Sequence, residues 1–144
     1  MEVAMKINLM TDYAVRVIRC IYESEKGIVT SNYMAKKEEI PHGVLMKVLR
    51  ELRENEIVVS HQGRGEVSGG YTLGEAVKKI TMLDIVETME GAIALENIRK
   101  KRGKRNEDIE SDAILREYRR VSKILRKEMQ KSTIYELLKE NKQK

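Results

Sequence analysis

Residues 57–73 have the sequence IVVSHQGRGEVSGGYTL, in which two short runs of β-branched and aromatic residues enclose a glycine-rich stretch. Runs 57–61 and 71–73 have the composition of strands, and four glycines fall among the residues between them. This pattern predicts a β-hairpin with a long tip. Neither GxGxxG nor GxxxxGK[ST] occurs, and no helical pattern follows Gly70 directly, so we do not expect a nucleotide-binding loop here.

Helical periodicity predicts three helices before the hairpin. The first covers about 11–24, where Thr11 or Asp12 can cap the start, and residues 28–29 favour a short strand. The second runs from a cap at Thr30 or Ser31 to about residue 38. The third starts at Pro41 and runs to about residue 55, because proline disfavours a helical conformation in the residue before it.

Two short helices joined by a brief break, the second of them with polar groups exposed, are typical of a helix-turn-helix. A plain three-helix bundle would give a similar pattern up to this point. The hairpin that follows favours a winged helix-turn-helix. The expected buried stripe of the third helix consists of Val44, Leu45, Val48, Leu49 and Leu52.

The C-terminal half has a different organisation. Thr81 and Asp84 resemble a capping box at the start of a fourth helix, which ends before Gly91. Residues 99–105 contain six basic side chains in seven, which is typical of a solvated loop. A helix is predicted from residue 107 to about 131, and a last one over 133–139. The fold class is therefore mainly α with a small β-hairpin, divided into a winged helix at 1–91, a basic loop at 92–108, and dimerisation and C-terminal helices at 109–144.

The long helix carries an apolar seam with spacings of four, three and four residues. A helix of this length is too long to be covered by so small a domain, so we expect the seam to form the interface of a homodimer. The alternative is packing inside one chain. The seam consists of Ile114, Tyr118, Val121 and Leu125.

The composition restricts the class of protein. The net charge of +5 and a pI near 9.3 are compatible with a partner such as nucleic acid. There is no long apolar run for a membrane span, and residues 1–8 are too short for a signal peptide, so we expect a cytoplasmic protein. Two histidines, no clustered carboxylates and no nucleophile motif predict no catalysis. We expect no metal site and no cofactor.

Four stretches in order resemble the Rrf2 family of bacterial winged-helix regulators, over nearly the whole chain. They are TDYAVRVI at 11–18, IPHGVLMKVLREL at 40–52, GGYTL at 69–73 and ITMLDIVETMEG at 80–91. The family includes regulators of iron–sulfur cluster biogenesis, nitric-oxide response and cysteine metabolism. The resemblance implies a homodimeric transcriptional regulator, with a repressor as our expectation, that binds a pseudo-palindromic operator in double-stranded DNA.

Two features depart from the family pattern. Gln62 stands near the place where the wing usually has an arginine, Arg64 lies two residues further on, and the tip is longer. Cluster-binding relatives have three cysteines between the fourth helix and the dimer helix, whereas residues 92–108 contain none. Thiolates are the usual cluster ligands, so the resemblance does not extend to a cluster. Cys20 is expected to be a buried hydrophobic residue.

The candidate DNA contacts lie at the start and outer side of the third helix, at the wing and at the first helix. Lys47 can bind a guanine edge or a phosphate, and the wing glycines allow backbone amides close to a phosphate while Arg64 reaches a groove. His42 either contacts DNA or only ends the turn, and Tyr13 either contacts the DNA backbone or is buried. The full set is Thr11, Tyr13, His42, Gly43, Met46, Lys47, Arg50, Gln62 and Arg64.

A second function remains open at this stage. Some winged helices bind proteins instead of DNA, and the chain could be such an interaction module. Reversing the charges of Lys47 and Arg64 would distinguish the two functions: it should abolish binding to an operator but leave binding to a partner protein intact. The signal that the protein senses is also open: it could be a small molecule at the dimer interface, a partner protein or a cluster supplied by unusual ligands.

Overall fold

The computed structural model describes residues 9–65, 69–91 and 112–142, and it confirms the mainly α fold with a small two-stranded sheet. Its elements, in chain order, are α1 (Leu9–Glu23), α2 (Ser31–Lys37), α3 (His42–Glu54), β1 (Val58–His61), β2 (Gly70–Leu73), a 3-10 turn (Glu75–Lys78), α4 (Met82–Glu90), α5 (Ala113–Met129) and α6 (Ile134–Lys142).

An aliphatic core joins α1, α2 and α3. Helix α1 buries one apolar face, and Met34 of α2 and Ile40 of the turn pack in the centre of the bundle. Four of the five predicted apolar positions of α3 are almost fully buried, whereas Val44 is half-buried. The predicted cap of α1 is wrong, because Thr11 and Asp12 lie inside a helix that already includes Leu9. The buried α3 residues are Leu45, Val48, Leu49 and Leu52.

Helices α2 and α3 form the predicted helix-turn-helix. The Thr30 side chain caps α2 by accepting a hydrogen bond from the Tyr33 amide, as expected from the sequence. Glu39 then turns the chain with a φ of 53°, and Pro41 is the N-cap of α3. The fixed φ of proline lets α3 begin immediately at His42.

The hairpin is tied to the helix-turn-helix by a third segment. Strands β1 and β2 are antiparallel, with Ser60 opposite Tyr71. Val29 pairs with the other edge of β2: its amide donates to the Tyr71 carbonyl at 3.0 Å, and the Tyr71 amide donates back at 2.8 Å. The predicted strand character at residue 29 is confirmed, and it fixes β2 to the segment between α1 and α2.

Helix α4 begins with the predicted capping box, since the Thr81 hydroxyl accepts from the Asp84 amide while the Asp84 carboxylate accepts from the Thr81 amide. It packs against α1 and ends at Gly91. The Ile134 amide at the start of α6 donates to the Ile80 carbonyl at 3.0 Å, which anchors the C-terminal helices beside α4.

Helix α5 starts later than predicted. The Asp112 carboxylate accepts from the amides of Ile114 and Leu115, so the helix begins at Ala113 and not at residue 107. The predicted basic loop at 92–108 lies outside the described residues. Among the helices in the described part of the chain, none is long and apolar enough to cross a membrane.

Candidate nucleic-acid interface

Helix α3 has two contrasting faces. The buried face holds it on the core, and the opposite face exposes its first turn together with a row of cations. His42, Gly43, Met46 and Lys47 are all exposed, as is Arg50 one turn further on. Their outward location is as predicted; their contacts with DNA stay a prediction.

Gly43 has no structural reason within the described chain to be glycine. A Cβ built at this position would meet nothing within 4 Å, and its φ is not in the left-handed region. Since glycine near the start of a helix brings no benefit to folding, the chain itself would accept a side chain at this position.

The positive charges on this face have no acidic partner among the residues that the structure describes. Lys47, Arg50 and Arg53 form no ion pair with any described carboxylate, although Glu51 and Glu54 belong to the same helix. In α1, by contrast, Arg16 and Arg19 are each paired with an acid one turn away. The outer face of α3 is therefore available to an external anion.

The hairpin glycines serve two different purposes. Gln62 and Arg64 are exposed beyond β1, and Gly65 has a φ of 61° that favours glycine. At the base, a Cβ on Gly69 would lie 2.5 Å from the His61 carbonyl oxygen, so this glycine is required for strand pairing. The structure thus gives Gly69 a packing role, and the phosphate contacts of the wing glycines stay a prediction.

Two predicted contacts in α1 have different outcomes. Thr11 is only 1% exposed, and its hydroxyl donates to the Glu90 carboxylate of α4 at 2.6 Å. The prediction that it binds a phosphate is wrong, because its hydroxyl already serves the contact between α1 and α4. Tyr13 is half-buried with its ring 5.9 Å from the Arg16 guanidinium, so both readings of this residue stay open.

The predicted seam of α5 is largely uncovered within one chain. Its apolar residues Ile114, Tyr118 and Val121 are between 39% and 60% exposed, while Leu125 is half-buried. The sequence analysis missed Ile124, which is 49% exposed and extends the same face by helical spacing from Val121. The other side of the helix carries Leu115 and Ser122, which are buried.

The fold places the chain among winged-helix proteins. The family model described as "Iron-dependent Transcriptional regulator" matches residues 7–140, and the chain therefore belongs to the Rrf2 family. A protein of Mycobacterium tuberculosis whose name describes it as an HTH-type transcriptional regulator is 30% identical over 91 residues, which are 62% of this chain and 55% of that protein. The chain thus spans about half the length of the curated relatives it matches.

Solved structures agree with this assignment. A protein of Listeria innocua described as a transcriptional regulator is 28% identical, with a TM-score of 0.69 over 96% of this chain and 90% of its own. CymR, the global cysteine regulator of B. subtilis, is 21% identical with a TM-score of 0.65 over 94% of this chain and 98% of its own. IscR of T. potens is 20% identical with a TM-score of 0.66, covering 96% and 89%. The last two show a common fold.

The residues present do not fit the iron that the family description names. Cys20, the single cysteine, is 1% exposed within α1, and burial raises the pKa of its thiol, which opposes the thiolate form that binds metal. Residues 92–108 contain neither cysteine nor histidine. Across 9–65, 69–91 and 112–142, no three His, Cys, Asp or Glu side chains are grouped so as to hold a metal ion. A cysteine-ligated cluster has no ligand set in this chain.

Proposed function

We propose that the chain is a sequence-specific DNA-binding transcriptional regulator that acts as a homodimer, and as a repressor, on a pseudo-palindromic operator. The observation that carries this proposal is the outer face of α3, where cations with no described carboxylate partner lie beside an exposed first turn. A polyanion supplies the missing countercharge, and a helix with one buried face fits the major groove of B-DNA with the other.

The residues of α3 divide into base contacts and backbone contacts. The N-terminal residues of a recognition helix meet base edges, which favours His42 and Lys47 as donors and Met46 as an apolar contact for a thymine methyl group. Gly43 allows the base edges to approach the helix backbone. Arg50 lies further along the helix and is better placed for a phosphate. Gln62, Arg64 and Tyr13 complete the proposed surface, in the wing and in α1.

A dimer follows from the exposed seam of α5. Apolar side chains that project from a helix into water gain free energy when they pack against another copy, by about 25 cal/mol per Å² of apolar area buried. A two-fold dimer would present two copies of α3, and such pairs bind half-sites about one helical turn of DNA apart. The two-fold symmetry gives a pseudo-palindromic operator, and a dimer bound across a promoter would act as a repressor by blocking polymerase.

The test is selection of bound sequences from a random duplex library by the full chain, followed by footprinting of the selected site. We expect an inverted repeat to be enriched. The double variant Lys47→Glu and Arg64→Glu should lose at least about 100-fold in affinity, since good base contacts contribute about 1–3 kcal/mol each. The control is Lys123→Glu on α5, which reverses one exposed charge away from α3.

The outcomes separate the two functions that the sequence left open. Enrichment of a repeat that depends on Lys47 and Arg64 supports the regulator. Failure of the wild-type chain to enrich any sequence contradicts it and leaves a winged helix that binds protein.

A further inference from the structure

A narrow groove of about 280 Å³ separates α3 from strand β2. The cations Lys47, Arg50 and Arg53 of α3 line one side of it, and Tyr71 of the hairpin lines the other. None of the residues that line it is acidic. They are Met46, Lys47, Leu49, Arg50, Arg53 and Tyr71.

The positive charges that line the groove favour the binding of an anion. Lys47, Arg50 and Arg53 repel one another, and no described carboxylate neutralises them. Arginine presents a planar fork of donors that matches the oxygens of a phosphate. Two arginines one turn apart on the same helix can thus bind one phosphate from the same side.

The walls of the groove belong to well-packed parts of the fold. Leu49 is 1% exposed in the core. Tyr71 lies on a strand that is paired on both edges, with Val29 on one side and Ser60 on the other. Because Tyr71 lines the groove and a phenol hydroxyl can donate to an anion, it adds a neutral donor to the cations there.

The size of the groove indicates how the ligand enters. Pockets that enclose a small-molecule ligand have volumes of about 300–1,000 Å³. This groove, at about 280 Å³, lies at the lower end of that range and is open to solvent, so it can take a phosphate that belongs to a larger molecule lying across its mouth. A phosphodiester of a DNA backbone has this form, with one charged phosphate and neutral sugars on either side.

We propose that this groove binds one backbone phosphate of the DNA, held by Arg50 and Arg53 with the Tyr71 hydroxyl as an additional donor. The proposal rests on the proposed function and adds to it a subsite between the recognition helix and the wing. Its contact is independent of sequence. It sets the position of α3 in the major groove relative to the hairpin, and so fixes which bases Met46 and Lys47 meet.

The first test is the salt dependence of binding for Arg53→Gln in the full chain, measured on the selected operator and on an unrelated duplex of equal length. Arg53→Gln removes one of the two cations proposed for this phosphate, so the log–log salt slope should fall by up to about 0.9 per protomer, or up to about 1.8 for a dimer, on both duplexes. The matched control Lys123→Gln removes the same charge from α5 and should leave the slope unchanged. Circular dichroism confirms that each variant is folded.

The second test concerns Tyr71 and the identity of the phosphate. Tyr71→Phe keeps the ring but removes a neutral donor, so affinity should fall several-fold with no change in slope. A set of operators, each with one phosphate replaced by a neutral methylphosphonate, should contain one position at which Arg53→Gln loses clearly less affinity than the wild type. Inorganic pyrophosphate, titrated without DNA, serves as the probe for a free phosphate ligand.

An unchanged salt slope for Arg53→Gln, when the wild type binds the operator, overturns the groove assignment and leaves the proposed function intact. Saturable pyrophosphate binding that requires Arg53, together with an unchanged slope on DNA, overturns it in favour of a phosphorylated small molecule. If the wild type binds no duplex at all, the proposed function and the groove assignment both fail.

Discussion

The outer faces of α3 and α5 are both exposed on helices whose other side is buried, but their chemistry is opposite. On α3 the cations Lys47, Arg50 and Arg53 have no described carboxylate partner. On α5 the exposed side chains of the seam are apolar; of the cations on this helix, Arg120 and Arg126 are each paired with a glutamate, whereas Lys123 and Lys127 have no described carboxylate partner.

The difference indicates the kind of partner that each face accepts. Unpaired cations suit a polyanion, since the ligand brings the countercharge and releases its bound cations. An apolar stripe suits a second protein surface, because association removes its apolar area from water. One small chain thus presents a surface for DNA and a surface for its own copy on two separate helices.

The largest expected effect comes from placing a charge in the apolar stripe of α5. Val121→Glu should raise the dimer dissociation constant at least about 100-fold, because burying an unpaired carboxylate costs several kcal/mol. Sedimentation velocity measures the oligomeric state, and operator affinity should fall with it. Lys123→Glu, on the opposite side of the same helix, is the control. A Val121→Glu chain that remains dimeric would remove the proposed distinction between the two faces.

A pair of glycines tests the DNA face separately from the fold. A Cβ at Gly74 would lie 2.2 Å from the Glu56 carbonyl oxygen, so Gly74→Ala should lower the free energy of unfolding by about 1–3 kcal/mol. Gly43→Ala has open space and better helix propensity, so stability should hold or rise by up to about 1 kcal/mol.

The informative readout for Gly43→Ala is binding. Operator affinity should fall although the protein is no less stable, because the added methyl group occupies the space that the DNA requires. Urea unfolding and fluorescence anisotropy give the two quantities on the same samples. Equal affinity for wild type and Gly43→Ala would show that α3 does not approach its partner closely at this point.

Local patterns in the sequence predicted most of the fold. The apolar stripe of α3 at helical spacing, the capping box at Thr81 and Asp84, and the short β-branched runs around the wing each depend on neighbouring residues alone. They therefore located the helix-turn-helix and the hairpin to within a few residues. The outward residues of α3 followed from the same periodicity, because they are the positions that the buried stripe leaves.

Long-range contacts account for what the sequence did not predict. The partner of Thr11 is Glu90, 79 residues away, and no local pattern links them. Tyr71 lines the α3 groove only because Val29 and Ser60 hold β2 from both sides. The requirement for glycine at position 74 arises from the Glu56 backbone, which lies in the turn between α3 and β1. The composition of the residues around Gly74 does not predict this contact.

The ion pair between α4 and α5 is expected to have a moderate effect on stability. Arg126 of α5 forms an ion pair with Glu87 of α4 in which both side chains are partly buried. Arg126→Met should lower the free energy of unfolding by about 1–2 kcal/mol, since Glu87 loses its partner in a partly desolvated position. Arg120→Met, which breaks the exposed pair with Glu117 on the same helix, should leave the unfolding midpoint unchanged. Equal losses of unfolding free energy in the two variants would mean that the ion pair between Arg126 and Glu87 stabilises the fold no more than an exposed pair does.

The smallest expected effect concerns Thr11 and defines the edge of the DNA surface. Thr11→Val preserves the shape of the side chain but removes the bond to Glu90, at a cost of about 1 kcal/mol in unfolding free energy, because the exposed carboxylate of Glu90 can be hydrated instead. Operator affinity and its salt slope should match the wild type, since the hydroxyl is buried between α1 and α4. Weaker DNA binding at unchanged stability would return Thr11 to the DNA surface and extend that surface onto the start of α1.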